Sequence, residues 1–214
     1  MDNFIEEVDE ELKHERYAEL WRKYGIFAVG AVLLIVISVA GSMGWRQYQL
    51  NSQIQSGLDY VNAVDLMAAG KNAGALTAFQ ALGKDGAAGY RELARFQEAA
   101  VLVHQGNKAA SAQIYEAIAN DDGADKVFRN LALILYSLNV VDRAEPKALA
   151  DRLGPLTNEA SPWRFSALEI TALLHRRRGD VSAAKLIYKK LADNDNAPHR
   201  IRARATEFLT VIGK

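Results

Sequence analysis

The chain has 214 residues, with 26 Lys+Arg against 26 Asp+Glu, four histidines and no cysteine. That length suits one main domain with an appendage, and a hydrophobic share of 50% is too high for a disordered chain. The lack of cysteine excludes a disulfide framework, a thiolate metal site and a cysteine nucleophile, and the balanced charge argues against a dedicated nucleic-acid binder.

The first 24 residues hold eight acidic and four basic side chains. Asn3 followed by Glu6 has the form of a capping box, with Asn3 as N-cap. Ile5, Val8, Leu12, Leu20, Trp21 and Tyr24 recur at helical spacing, and the acids precede Arg22 and Lys23, which suits the helix dipole. Residues 3–24 therefore read as an amphipathic helix. It docks on a partner, lies on the membrane surface or stays solvated, and its acidic face favours a protein partner over anionic lipid.

Residues 25–45 (GIFAVGAVLLIVISVAGSMGW) carry no charge. At 1.5 Å per residue such a run spans about 30 Å, the thickness of a bilayer core, and in lipid it must be helical to pair its backbone groups. Trp21 and Tyr24 precede it and Trp45 and Tyr48 follow, as interface belts do. Lys13, Arg16, Arg22 and Lys23 lie within the 20 residues before it, and only Arg46 within the 20 after it. Basic residues stay on the cytoplasmic side, so the N-terminus is expected inside and the C-terminal part outside.

Ser38-Val39-Ala40 has the form of a signal-peptide cleavage site. The long apolar run, the acidic flank and the aromatic belt beyond Ala40 favour an uncleaved anchor instead. The pairs Ser38/Ser42 and Ala40/Gly44 set small residues four apart. Such a face admits another helix closely, and a Gly- and Ala-rich span also produces it by composition alone.

Residues 46–214 hold 22 basic and 18 acidic side chains and few strand signals. Ala, Leu, Arg and Glu dominate, with Gly or Pro every 15 to 20 residues, as in short helices joined by short turns. Gly70, Gly106 and Gly179 anchor a repeat. Seven residues before them stand Ala63, Ala99 and Ala172; five after, Ala75, Ser111 and Ala184; nine after, Phe79, Tyr115 and Tyr188; twelve after, Leu82, Ile118 and Leu191. A degenerate further unit is expected between Gly106 and Gly179: Ala132, then Asn139 in place of the glycine, then Ala144 and Ala148, with the loop 154–162 absorbing extra length. Small residues let paired helices cross closely, and Gly or Asn tolerates the left-handed turn between them. Hairpins of this kind stack into a solenoid because none buries its apolar face alone. The anchors resemble the tetratricopeptide pattern, so the expected fold is all-α: an N-terminal transmembrane helix followed by a tetratricopeptide-like solenoid. The expected domains are a tail (1–24), a span (25–45) and an outer domain (46–214).

No motif for chemistry stands out. His14, His104, His175 and His199 form no ligand pair on one helix, and no phosphate-cradling or nucleophile-elbow motif is present. The chain is read as a non-enzyme with no catalytic residue, metal or cofactor. Arg176-Arg177-Arg178 reads as a helix-end cluster, and Arg200, Arg202 and Arg204 spread around a helix. These are solvated faces or contacts to an acidic partner.

Solenoids bind on the inner face lined by the first helix of each hairpin. The offsets place Tyr60, Val64 and Met67 there, then Phe96, Ala100 and Val103, then Glu169, Leu173 and Arg176. The first two sets are apolar and suit a client or partner segment, unless a terminal helix covers them.

A short acidic tail, one membrane helix ending in Gly44-Trp45-Arg46-x-Tyr48, and divergent tetratricopeptide hairpins together resemble the YfgM-like family of ancillary SecYEG translocon subunits. The resemblance implies a bacterial inner-membrane location with the hairpins in the periplasm. It implies partners: the SecYEG translocon, a membrane-anchored periplasmic prolyl-isomerase-like chaperone and exported polypeptides. With the lipid bilayer and no nucleic acid, these complete the expected partners. The rival reading is a scaffold for a different envelope complex.

Overall fold

The computed structural model describes the backbone of residues 2–212 and the side chains of residues 21–211 except residue 28. The described residues form helices α1 (Asp2–Ala68), α2 (Asn72–Asp85), α3 (Ala88–His104), α4 (Lys108–Ala119), α5 (Lys126–Val140), α6 (Pro146–Leu153), α7 (Arg164–Arg177), α8 (Val181–Ala192) and α9 (His199–Ile212), with a 3-10 turn at Gly154–Thr157. No strand occurs among the described residues. The chain divides into two compact units, Met1–Ile54 and Gln55–Lys214.

The first unit lies within α1. Its apolar stretch is long and apolar enough to cross a membrane, and none of that stretch is buried within the chain. Val32, Leu33, Leu34, Ile35, Val36 and Ile37 are all exposed. An unbroken apolar surface on a single helix is the form a membrane span takes, since lipid replaces the missing protein contacts. Trp21, Tyr24, Trp45 and Tyr48 are also exposed, and the rings of Trp45 and Tyr48 lie 6.0 Å apart. One expectation changes: α1 already contains Asp2, so Asn3 stands inside the helix and is not its cap. The side chains of Asn3 and Glu6 lie outside the described residues.

In the second unit helices pair into hairpins. Three of the turns share one geometry. Gly70, Gly106 and Gly179 take φ of 72°, 81° and 79°, and no non-glycine residue has positive φ among the described residues. After each glycine the next N–H reaches back five residues: Lys71 to the Leu66 carbonyl (2.9 Å), Asn107 to Leu102 (2.8 Å) and Asp180 to His175 (3.0 Å). Each glycine N–H bonds the carbonyl three residues before it: Met67, Val103 and Arg176. This is the Schellman termination, which satisfies helix-end carbonyls and needs a left-handed residue. The side chains of Asn107 and Asp180 then cap α4 and α8 by accepting from Ala110 and Ala183 N–H.

The repeat positions pack as their spacing predicts. Ala63, Ala99 and Ala172, and Ala75, Ser111 and Ala184, are fully buried, which lets the paired helices approach closely. Phe79, Tyr115 and Tyr188, and Leu82, Ile118 and Leu191, fill the space beside them. Removing a buried side chain as large as Phe79 costs about 3–5 kcal/mol in a typical core.

The third hairpin differs from expectation. Asn139 does not turn the chain: α5 runs on to Val140, and the Asn139 amide donates to the Leu135 carbonyl within the helix. The turn occupies residues 141–144, and α6 starts after Glu145, whose carboxylate accepts from Lys147 and Ala148 N–H at 3.0 and 2.6 Å. Aligning the four second helices on their N-caps makes Ala144 the turn residue, five residues later than expected. The four turn residues Gly70, Gly106, Ala144 and Gly179 then stand 36, 38 and 35 residues apart. In this register the buried small residue is Ser137, and Leu149, Leu153 and Leu156 occupy the positions of Ser111, Tyr115 and Ile118; all four are buried. Ala132 is also buried, but Ala148 is exposed and Ala144 is half-buried. Residues 154–157 are therefore packed structure, anchored by Leu156. Only the stretch beyond them, towards α7, is irregular.

The core follows the chain in three clusters. One joins Ala63, Phe79 and Ala94; the next joins Ile134, Leu153, Ile170 and Leu174; the last joins Tyr188, Leu191, Ile201 and Ala205. α9 closes the end, with Phe208 stacked on Tyr188 at 4.4 Å between ring centroids. Each hairpin is completed by its neighbour, as quasi-one-dimensional stacking requires.

Candidate interaction surface

The corrected register defines three rows on the first helices of the hairpins. Ten residues before the turn residue stand Tyr60, Phe96, Ile134 and Glu169; six before, Val64, Ala100, Leu138 and Leu173; three before, Met67, Val103, Val141 and Arg176. The third-hairpin members Ile134, Leu138 and Val141 are not legible from sequence, because Asn139 has the chemistry of a turn residue and shifts the offsets by five. Their signal was the period itself, which places a turn residue close to position 143.

The first row joins consecutive hairpins. Tyr60 contacts the ring of Tyr90 at 6.0 Å, and its hydroxyl accepts from Gln97 Nε2 at 3.0 Å, both on α3. Phe96 meets Phe128 of α5 at 6.0 Å. Ile134 is buried in a cluster with Ile170 and Leu174 of α7. Glu169 takes a bidentate contact from Arg204 of α9, at 2.6 and 2.7 Å. In every hairpin this row faces the first helix of the next one or the closing helix. Tyr60, Phe96 and Glu169 are thus engaged within the chain.

The second row is apolar throughout. Val64, Ala100 and Leu173 are half-buried, and Leu138 is 50% exposed. In the third row Met67, Val103 and Val141 are half-buried, and Arg176 is exposed with its guanidinium 4.8 Å from the centre of the Phe208 ring. Four stacked hairpins with a matched row of first-helix side chains are the arrangement by which repeat proteins present an extended binding face. A family model described as a tetratricopeptide repeat-like domain matches residues 19–197. The chain belongs to this family. The match takes in the apolar run of α1 as well as the hairpins of the tetratricopeptide repeat-like domain, and it ends just before α9. A search of curated proteins returned no match.

The arginine clusters are largely used within the domain. Arg177 Nη1 donates to the carbonyl of Ala144 at 2.9 Å and to that of Val141. It thereby serves the turn that lacks a Schellman glycine. Arg176 lies over Phe208, and Arg204 holds Glu169. The hydrogen bonds that Arg204 donates to the Glu169 carboxylate hold its guanidinium above its ordinary pKa. Arg202 pairs with the fully exposed Asp195 at 3.1 Å, a contact of small energetic weight.

Among the histidines, His175 Nδ1 lies 3.2 Å from the Asp180 carboxylate, across the α7–α8 turn. Asp180 sits below the usual carboxylate range, chiefly because it accepts the Ala183 N–H. Glu145 is lowered in the same way by the Ala148 and Lys147 N–H groups. Burial raises the Tyr115 and Tyr188 hydroxyls. These shifts belong to caps and core packing. No group of three or more His, Cys, Asp or Glu side chains suited to a metal occurs among the described residues.

Proposed function

We propose that this tetratricopeptide repeat-like protein is a single-pass inner-membrane scaffold without enzymatic activity. Its N-terminus lies in the cytoplasm and its hairpins in the periplasm. The reading is carried by one observation: α1 contains both an unburied apolar run long enough to cross a bilayer and the first helix of the first hairpin. The basic residues before that run set the orientation. Tetratricopeptide-like domains are interaction modules, and the apolar second row, Val64, Ala100, Leu138 and Leu173, is the face offered to a polypeptide.

The partners we propose are the SecYEG translocon, through the membrane helix, and a membrane-anchored prolyl-isomerase-like chaperone or an exported chain, through the hairpins. The resemblance to the YfgM-like family supports this choice. Affinity purification of the full chain in mild detergent tests it. Translocon subunits retained with a periplasmic chaperone are the expected result. Retention of a different envelope complex without the translocon would replace this reading with the rival scaffold. A reporter fused after Lys214 is expected to be active only outside the cytoplasm; activity inside would overturn the orientation.

A further inference from the structure

Beyond the apolar run, α1 carries apolar side chains that neither the chain nor a bilayer covers. Leu50 and Ile54, which close the first unit, are 50% and 55% exposed. Around them stand Gln49, Asn51, Ser52 and Gln53, all polar. Ile54 lies about 14 Å past Trp45 along the helix axis, whereas headgroups add only about 5–7 Å to each side of the hydrocarbon. Lipid around the run therefore stops short of Ile54, and a cover for it has to come from protein.

The apolar positions keep to one spacing. Met43, Gln47, Leu50, Ile54, Leu58 and Val61 follow in steps of four, three, four, four and three, the steps that mark one face of a helix, and Asp65 ends the series. Met43 is 67% exposed. In the second unit α1 packs Ala63 and Tyr60 against the hairpins and leaves Leu58 and Val61 outside, 62% and 57% exposed. Two helices that meet along such a face interlock as knobs into holes.

A second copy of the chain is the occupant that this face fits. Single-pass copies inserted with the same topology stand parallel and at one height, so each position of the face meets its own counterpart. A charge there would oppose itself. Residues 47–58 hold no Asp, Glu, Lys or Arg, in a chain that is 24% charged. A partner held by charge finds no counterpart on this stretch. Gln47 is the one polar member: its Nε2 donates to Asn51 Oδ1 at 3.0 Å, which leaves an N–H and the amide oxygen for the same glutamine of the other copy. A polar side chain at such a position fixes the register of a pair.

We propose that α1 pairs with α1 of a second copy along this face, from Met43 to Val61, as a parallel dimer. The inference rests on the membrane-scaffold reading and gives each assembly two sets of hairpins.

The chain has no cysteine, so single cysteines report the contact directly. Leu50→Cys and Ile54→Cys on the face, and Gln49→Cys away from it, are made in the full chain, and cell membranes carrying each variant are oxidised with copper phenanthroline. A disulfide needs Cα atoms within about 7 Å. A covalent product of twice the chain's mass is expected from Leu50→Cys and Ile54→Cys, at least five-fold more abundant than from Gln49→Cys. Adding Leu50→Glu to Ile54→Cys is expected to lower that product at least five-fold, whereas adding Gln49→Glu leaves it unchanged. Leu50, Ile54 and Gln49 are all exposed, so these changes spare the hairpin core. Equal product from the three positions, none from Leu50→Cys and Ile54→Cys, or a product of another mass overturns the dimer. Alkaline carbonate extraction of the same membranes reads the anchor separately. Release of the chain would sink the membrane reading and the dimer together. An anchored chain that keeps its partners in mild detergent but forms no disulfide along the face would sink the dimer alone.

Discussion

The second and third hairpins solve the same problem by different means. In the second, Gly106 adopts a left-handed conformation and the turn satisfies its own carbonyls. In the third, Ala144 replaces the glycine, α5 stops at Val140, and a guanidinium from the next hairpin reaches back to the Val141 and Ala144 carbonyls. The first solution is local. The second borrows from a neighbour, so the third turn depends on α7 being in place. The cores differ in the same sense. Ser111 and Tyr115 give way to Leu149 and Leu153, so a small-plus-aromatic pair becomes two leucines around a shorter second helix.

That contrast is open to attack by mutation, and thermal or denaturant unfolding of the full chain in detergent is the readout. Leu153→Ala carries the largest expected loss, about 2–5 kcal/mol, since Leu153 is fully buried. Its neighbour Ala148 is exposed, and Ala148→Leu is expected to stay within about 0.5 kcal/mol. The reverse order would restore Asn139 as the turn.

Next come Ala99→Leu and Ser137→Leu, each expected to overpack a hairpin by about 1–3 kcal/mol, because both sites are fully buried at equivalent positions. A tolerated Ser137→Leu would break the equivalence. Gly106→Ala is expected to cost about 1–2 kcal/mol for its left-handed backbone. Ala144→Gly is expected to cost about 0.5 kcal/mol, through added freedom of the unfolded chain alone. Arg177→Ala is expected to cost about 1 kcal/mol, since it removes two hydrogen bonds at an exposed turn. A larger loss from Ala144→Gly than from Gly106→Ala would contradict the account of the turns.

The smallest effect is pH dependence. The Glu145 and Asp180 carboxylates have lowered pKa values because they cap α6 and α8. A lowered folded-state pKa gives stability that is present above the unfolded value and lost as pH falls through the folded one. Acidification below about pH 4 is therefore expected to lower the melting temperature. Glu145→Gln and Asp180→Asn are expected to flatten that fall, each by removing one titrating cap.

The sequence made three hairpins legible because their signals are redundant. A glycine, two small residues and an aromatic recur at fixed offsets, and each has one physical role. The third hairpin was obscured because an Ala-rich chain supplies small residues in several registers. Asn139 also had the chemistry of a left-handed turn without the backbone to match. Of the nine surface residues expected from the offsets, Tyr60, Phe96 and Glu169 turned out to join hairpins. Their row is set by the stacking of helices from different hairpins, which a period within one hairpin does not reveal. The reach of Arg177 across 33 residues to Ala144 is a tertiary contact of the same kind.

The most direct measurement of the scaffold claim is site-specific photo-crosslinking in living cells. A photoreactive amino acid replaces Leu138, the most exposed member of the apolar row, or Ala148, which is exposed on α6 outside the row. The account predicts covalent adducts to an envelope protein from position 138 and none from position 148. Adducts from 148 alone, or from neither position while the full chain is in the membrane, would contradict it.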